Sequence, residues 1–308
     1  EIISQRKCVK ILPSPSFLLH PTQTPPVGRR QSEHPTLLCV SDGSPMESPS
    51  DPLPSHRPPT NEFIASMLKR AREEGRVTYD SSKYDFEGHF ERMFTPLEGP
   101  LSSIHARPVP ATPAPISLAL LHGFKVAGVK MPPAWNKVLR HKKDRLKKFL
   151  ATKAYKDFKA TFDTFVREEI APLIGDPQGL VYQCPPTIRV QLPSKNPMGV
   201  PHKDADYERH VEEEVNIWVP VTDTFDTNTL FTESQPGKKD FHPLECKYGE
   251  AVRFWGNQCW HYTVPNQTDA TRVSFDFRVI PMSLYDAGRF DGLIGDYPCA
   301  FTGPLSEP

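Results

Sequence analysis

Nowhere does this 308-residue chain stay apolar for the roughly 20 residues that a membrane-spanning helix needs. Its charge has no bulk sign. The 37 Lys and Arg balance 37 Asp and Glu, giving +0 at pH 7. That argues against binding nucleic acid or a membrane surface through bulk charge. No two cysteines form a Cys-x-x-Cys; Cys8, Cys39, Cys184, Cys246, Cys259 and Cys299 are scattered. A zinc knuckle or a paired redox site is therefore not expected. Free thiols in a reducing, cytoplasmic setting are the reading, with a disulfide framework as the alternative. No internal repeat is visible. With 37% hydrophobic and 24% charged residues, a sizeable core is possible but diluted.

Periodic apolar pattern is also missing from residues 1–60, which hold 12 of the 35 prolines. Such a stretch cannot bury enough surface to offset its ordering entropy, so a disordered Pro/Ser-rich tail is expected. The chain opens on Glu1 rather than Met, and reads as a fragment or as carrying a translated upstream stretch, with Met46 an alternative start. Arg29-Arg30 and the serines hint at a transit peptide, but no amphipathic helix accompanies them.

Residues 61–178 read as a helical and loop part. Asn61 begins a helix with Phe63, Ile64, Met67 and Leu68 at helical spacing, closed by Gly75. Tyr79 to Pro115 reads as aromatic loops over a core, and residues 76–115 as a possible lid. Lys137 to Leu150 is basic, but Val138, Leu146 and Phe149 give it an apolar face, which favours a core helix with a solvated side. Tyr155, Phe158, Phe162, Phe165, Val166 and Ile170 form an aromatic stripe that must pack, most simply on a sheet.

Residues 179–285 switch to period two. Ile188, Val190 and Leu192 alternate with Arg189 and Gln191; Asn216 and Trp218 share a face of Val215–Val221. In Arg272 to Ile280, Val273, Phe275, Phe277 and Val279 oppose Arg272, Ser274, Asp276 and Arg278. Short strands are also expected at Thr229–Ser234, Ala251–Trp255 and Trp260–Val264. Residues 286–308 form a C-terminal extension. The class is mainly β with flanking α, a sandwich or barrel.

Within that β region stand His202-Lys203-Asp204 and, far along, His261. Two imidazoles and one carboxylate suit a ferrous ion held on one side, the other side open. Asp206 is the rival carboxylate, and His210 a spare histidine read as structural or solvated. Eleven residues past His261 come Arg272 and Ser274, two apart on a strand, able to clamp a carboxylate together.

These residues, with Asn216-Ile-Trp-Val-Pro220, Gly256-Asn257 and the strand from Arg272 to Arg278, resemble the Fe(II)/2-oxoglutarate-dependent dioxygenases. The similarity is to the small branch typified by StrG-like proteins of streptomycin biosynthesis, over about Leu180 to Tyr285. The resemblance implies a double-stranded β-helix (jelly roll) with the N-terminal helices packed outside. It implies Fe(II) on His202, Asp204 and His261, with Asp204 preferred over Asp206 on the His-x-Asp spacing. It implies Arg272 and Ser274 on the distal carboxylate of 2-oxoglutarate, and O2 as the oxidant. The reaction would release succinate and CO2 and hydroxylate an unactivated carbon of a small molecule. Gln191 and Asn216 are candidates to hold cosubstrate, and Arg189, Tyr207 and Trp218 to line the substrate wall; ordinary packing is the alternative for each. Asn257 either orients the metal shell or makes a turn, and the run Glu212 to Glu214 either favours a cationic substrate or is solvated. No nucleic acid or membrane partner is expected. A cupin-like metal protein and a non-catalytic jelly-roll binding module are the rival readings.

Overall fold

The computed structural model describes residues 59–95, 97, 99–109, 118–135, 142–286, 292–295 and 297–305. The tail expected over 1–60 lies outside them, apart from its last two residues. Helix α1 spans Asn61–Arg72, and its cap is Thr60, whose hydroxyl accepts from the Phe63 amide at 3.2 Å. Strand β1 (Gly75–Thr78) follows, so Gly75 opens a strand instead of closing the helix. Helix α2 (Phe86–Phe94) starts on Asp85, which accepts from the Gly88 amide at 2.9 Å. Helices α3 (Leu118–Val126), α4 (Lys142–Leu150) and α5 (Lys153–Phe165) come next. A π turn over Val166–Ile170 leads into a last short helix, α6 (Ala171–Ile174), ended by left-handed Gly175 at φ 79°.

The strands are β2 (Leu180–Gln183), β3 (Thr187–Gln191), β4 (Val215–Pro220), β5 (Phe231–Thr232), β6 (His242–Pro243), β7 (Glu250–Phe254), β8 (His261–Tyr262), β9 (Arg272–Pro281), β10 (Leu293–Ile294) and β11 (Tyr297–Phe301). They form two antiparallel sheets. The large sheet runs β1-β7-β4-β9-β2-β11-β10, with β3 also on β9; the small one runs β6-β5-β8. Strands β1 and β10–β11, from outside residues 179–285, therefore join the same sheet.

Strand β9 is the axis of the large sheet. It pairs with β4 along one side, and with β3 and β2 along the other. One face of β9 meets the helices. Phe275 packs edge-on against Phe86 at 5.0 Å and Phe158 at 5.6 Å, and Phe277 against Phe162 at 4.9 Å. Val190, Val215, Ile217 and Val219 join this core from the neighbouring strands. The alternation expected for β3, β4 and β9 is thus realised, apolar residues under the helices and polar ones on the other face.

The described part of the stretch 76–115 packs into the helix-side core and does not cover the site. It supplies β1, α2 and a 3-10 turn over Leu101–Ala106, and buries Tyr79, Tyr84, Phe86 and Phe90 in the helix-side core. Four aromatic rings in so short a stretch gain more by burial than they would as a mobile cover. No helix among the described residues is long and apolar enough to cross a membrane.

Candidate metal centre

The other face of the large sheet carries the site. Segment 199–202 runs antiparallel to β8: the His202 amide donates to the His261 carbonyl at 3.2 Å, and the His261 amide returns the bond at 3.0 Å. This pairing brings two histidines 59 positions apart side by side, ring centroids 4.3 Å apart. Each ring is turned by its own chain. His202 Nδ1 lies 2.8 Å from the Val200 carbonyl, and His261 Nδ1 lies 3.1 Å from the Cys259 carbonyl. A carbonyl only accepts, so each Nδ1 carries the proton and each Nε2 keeps its lone pair for a metal. Burial pushes His202 down to about 4, with His261 beside it adding to the shift; burial also lowers His261. Both rings are neutral at pH 7, as metal ligands must be.

Asp204 completes the triad. Its Oδ1 is 3.9 Å from His202 Nε2 and 3.8 Å from His261 Nε2, and the three ligand atoms lie within 4.8 Å of one another. It opens a 3-10 turn docked on the loop before β8. The Asp204 amide donates to the Gly256 carbonyl at 3.0 Å, and the Ala205 amide to the Asn257 carbonyl at 3.1 Å. Gly256 is needed there because a Cβ would stand 2.8 Å from Asn216 Cγ and Phe254 Cε2. The rival Asp206 is exposed and accepts from the Lys203 amide.

The carboxylate is held from behind. Arg278 donates through Nη2 to Asp204 Oδ1 at 3.0 Å and through Nε to Oδ2 at 3.1 Å; Asn216 Nδ2 donates to Oδ2 at 2.7 Å. Burial alone would raise the Asp204 carboxyl, but Arg278, helped by His261 and His210, holds it well below the usual carboxylate range. Arg278 is steadied in turn by Gln183 Oε1 at 3.1 Å. Asn216, a candidate for holding cosubstrate, therefore engages the metal carboxylate directly. Arg278 and Gln183 were not foreseen as site residues, although Arg278 shares the polar face of β9 with Arg272 and Ser274. His210 is half-buried and structural rather than solvated: its Nδ1 lies 2.7 Å from Oε2 of Glu214, itself fully buried. The acidic run is split, since Glu212 is exposed and ion-paired with Arg72.

Above the triad opens a cleft of about 500 Å³, counted out to its solvent mouth. Arg272 reaches it from the start of β9, 1% exposed, with its guanidinium carbon 5.9 Å from the Trp218 ring centre. Its Nε and Nη1 have no hydrogen-bond partner, nor has the fully buried Ser274 hydroxyl. Burial, and then Arg189, push the Arg272 guanidinium below its usual range, with Asp276 pulling the other way. Two buried donors and a hydroxyl with nothing to bind fit a carboxylate.

Gln191 faces Arg272 across the β3–β9 pair, donates to the Val264 carbonyl at 2.8 Å and leaves Oε1 unpartnered. Arg189 lines the cleft and binds Asp276 at 2.6 Å through Nε. Trp218 lines it too. Tyr207 is half-buried beside the His202 ring at 5.6 Å and is not part of the wall. Asn257 acts through its backbone carbonyl; its side-chain Nδ2 is unpartnered.

No family model matches the chain. The streptomycin biosynthesis protein StrG of Streptomyces griseus is 40% identical over 115 residues, 37% of this chain and 54% of StrG. The chain thus spans about half the length of that relative. Among solved structures, the non-heme monooxygenase ThoJ with Ni is 16% identical, covering 70% of this chain and 77% of that one, at a TM-score of 0.37. EvdO2 of Micromonospora carbonacea var. aurantiaca, complexed with 2-oxoglutarate, is 14% identical over 70% of this chain and 90% of its own, also at 0.37. The resemblance to StrG-like proteins of streptomycin biosynthesis, read from the motif, is borne out by the StrG relative.

Proposed function

We propose that this protein is a non-haem Fe(II)/2-oxoglutarate-dependent oxygenase acting on a small metabolite, with hydroxylation of an unactivated carbon as the outcome. The two antiparallel sheets facing the site are read as a double-stranded β-helix. One observation carries the proposal. The two histidines of a neutral His/Asp/His face line the same cleft as the buried Arg272 guanidinium, which lacks an acceptor, and the buried Ser274 hydroxyl two residues along the strand lacks a partner too. A metal-binding protein with no cosubstrate would have no use for Arg272 and Ser274 in that state. The resemblance to a protein of antibiotic biosynthesis favours a small-molecule substrate.

The residues fit both groups. His202, Asp204 and His261 would hold Fe(II) on one side, and Arg272 with Ser274 would hold the far carboxylate of 2-oxoglutarate. When bound, the ion and cosubstrate supply O2 activation coupled to decarboxylation of 2-oxoglutarate to succinate and CO2. The protein's own part is placement and charge. Arg278 and Asn216 keep Asp204 ionised and fixed. The Val200 and Cys259 carbonyls hold both imidazoles in the ligating tautomer. Trp218 covers the Arg272 guanidinium and keeps water from it. Arg189 and Trp218 line the cleft where substrate would lie, with Tyr207 beside His202.

The test is succinate release from 2-oxoglutarate by purified protein with Fe(II), across a panel of small metabolites. Substrate-stimulated succinate is expected, and none from His261→Ala. Equal release without metal or from that variant would overturn the proposal.

A further inference from the structure

Three guanidiniums face the cleft: Arg189, Arg272 and Arg278. Arg278 is committed to Asp204 and Gln183. Arg272 is the group the oxygenase reading assigns to cosubstrate. Arg189 remains. Its Nε donates to Asp276 Oδ1 at 2.6 Å, its Nη2 makes a weaker bond to Oδ2 at 3.4 Å, and Nη1 has no partner among the described residues. Its side chain is 37% exposed, onto the cleft it lines.

We infer that the substrate carries one anionic group, a carboxylate or a phosphate, which the free edge of Arg189 binds at the wall of the cleft; this rests on the oxygenase reading above.

Charge balance points the same way. Three arginines against Asp276 in the cleft wall and Asp204 behind it leave one positive charge, each histidine carrying its proton on Nδ1 and counting as a neutral ligand. A divalent ion brings that to three, and dianionic 2-oxoglutarate returns it to one. An uncompensated charge in a half-enclosed cavity is costly, and an anionic group on the substrate offsets it. The guanidinium fork suits a planar carboxylate or a phosphate edge equally, so the shared chemistry is what the site reads. The remaining wall is apolar in Met198, Trp218, Leu230 and Phe254, which suits a carbon body attached to that anion.

Protein loaded with Ni(II) and 2-oxoglutarate is titrated calorimetrically with phenylacetate, phenyl phosphate and the neutral phenylacetamide. At least one anion should bind about tenfold or more tighter than the amide, and the better anion tells carboxylate from phosphate. Arg189→Gln should remove that preference while moving 2-oxoglutarate affinity less than about threefold. Asp276→Asn, which frees the guanidinium from its partner, should tighten anion binding, a change no misfolded variant would mimic. Amide binding as tight as either anion, or an anion preference intact in Arg189→Gln, would overturn the inference alone. Failure of wild-type protein to bind 2-oxoglutarate would overturn the oxygenase reading and, with it, a site defined by what the cosubstrate leaves over.

Discussion

Replacing Arg272 by Met should make the unliganded protein more stable and remove most of the stabilisation that 2-oxoglutarate confers. The side chain is 1% exposed, and two of its three guanidinium nitrogens have no partner. A buried charge without a counter-ion costs folding free energy, and an apolar side chain of similar length avoids that cost. Relief of about 1 to 4 kcal/mol is expected by analogy with buried ion pairs replaced by hydrophobic residues. The same change removes the charged donors for a carboxylate. Truncating one side of a buried charge pair costs about 2 to 5 kcal/mol, a loss of roughly 30-fold to several thousandfold in affinity. The two effects have opposite signs in one variant. Thermal unfolding with Ni(II), with and without 2-oxoglutarate, reads both. Wild type should gain about 2.7 kcal/mol when 2-oxoglutarate is at a hundred times its Kd, and Arg272→Met at that concentration about 0.9 kcal/mol or less. A variant that melts lower than wild type without ligand, yet shifts as far with it, would refute the reasoning.

Other perturbations test the supports. Arg278→Met should weaken Ni(II) binding about 10- to 100-fold, since Asp204 loses two charged donors, and a metal titration measures it. Gly256→Ala pushes a methyl to 2.8 Å from Asn216 and Phe254, and should cost about 1 to 3 kcal/mol in urea unfolding while also weakening metal binding. Phe275→Ala empties the ring contacts between β9 and the helices and should cost about 3 to 5 kcal/mol, with metal affinity per folded molecule unchanged.

The period-two strands were the most legible part of the chain. In β9 both faces are buried, yet the alternation still sorts aliphatic and aromatic residues from charged ones, because one face meets helices and the other a polar site. The His-x-Asp pair and distant His261 were readable for a similar reason: ligand chemistry admits few residue types. What escaped was the support behind the ligands. Arg278 lies six residues past Arg272 on the same face, so its placement was visible but not its partner, 74 positions away in Asp204. His210 and Glu214 looked like loop polars because mutual burial of an i, i+4 pair outside a helix leaves no periodic trace. The short strands β5 and β8 have two residues each, narrower than the expected Thr229–Ser234 and Trp260–Val264, since the loops around them are held by side chains such as Glu233. The described part of the expected lid lies in the helix-side core, because Pro and aromatic residues mark a wrapped segment without saying which face of the sheet it wraps.

The central claim is that His202, Asp204 and His261 bind one divalent ion. Metal analysis and Ni(II) titration of the full chain, beside His261→Ala, measure this directly. One equivalent per wild-type chain, with affinity at least a hundredfold weaker in the variant, is predicted. Equal metal binding by a folded His261→Ala protein would contradict it.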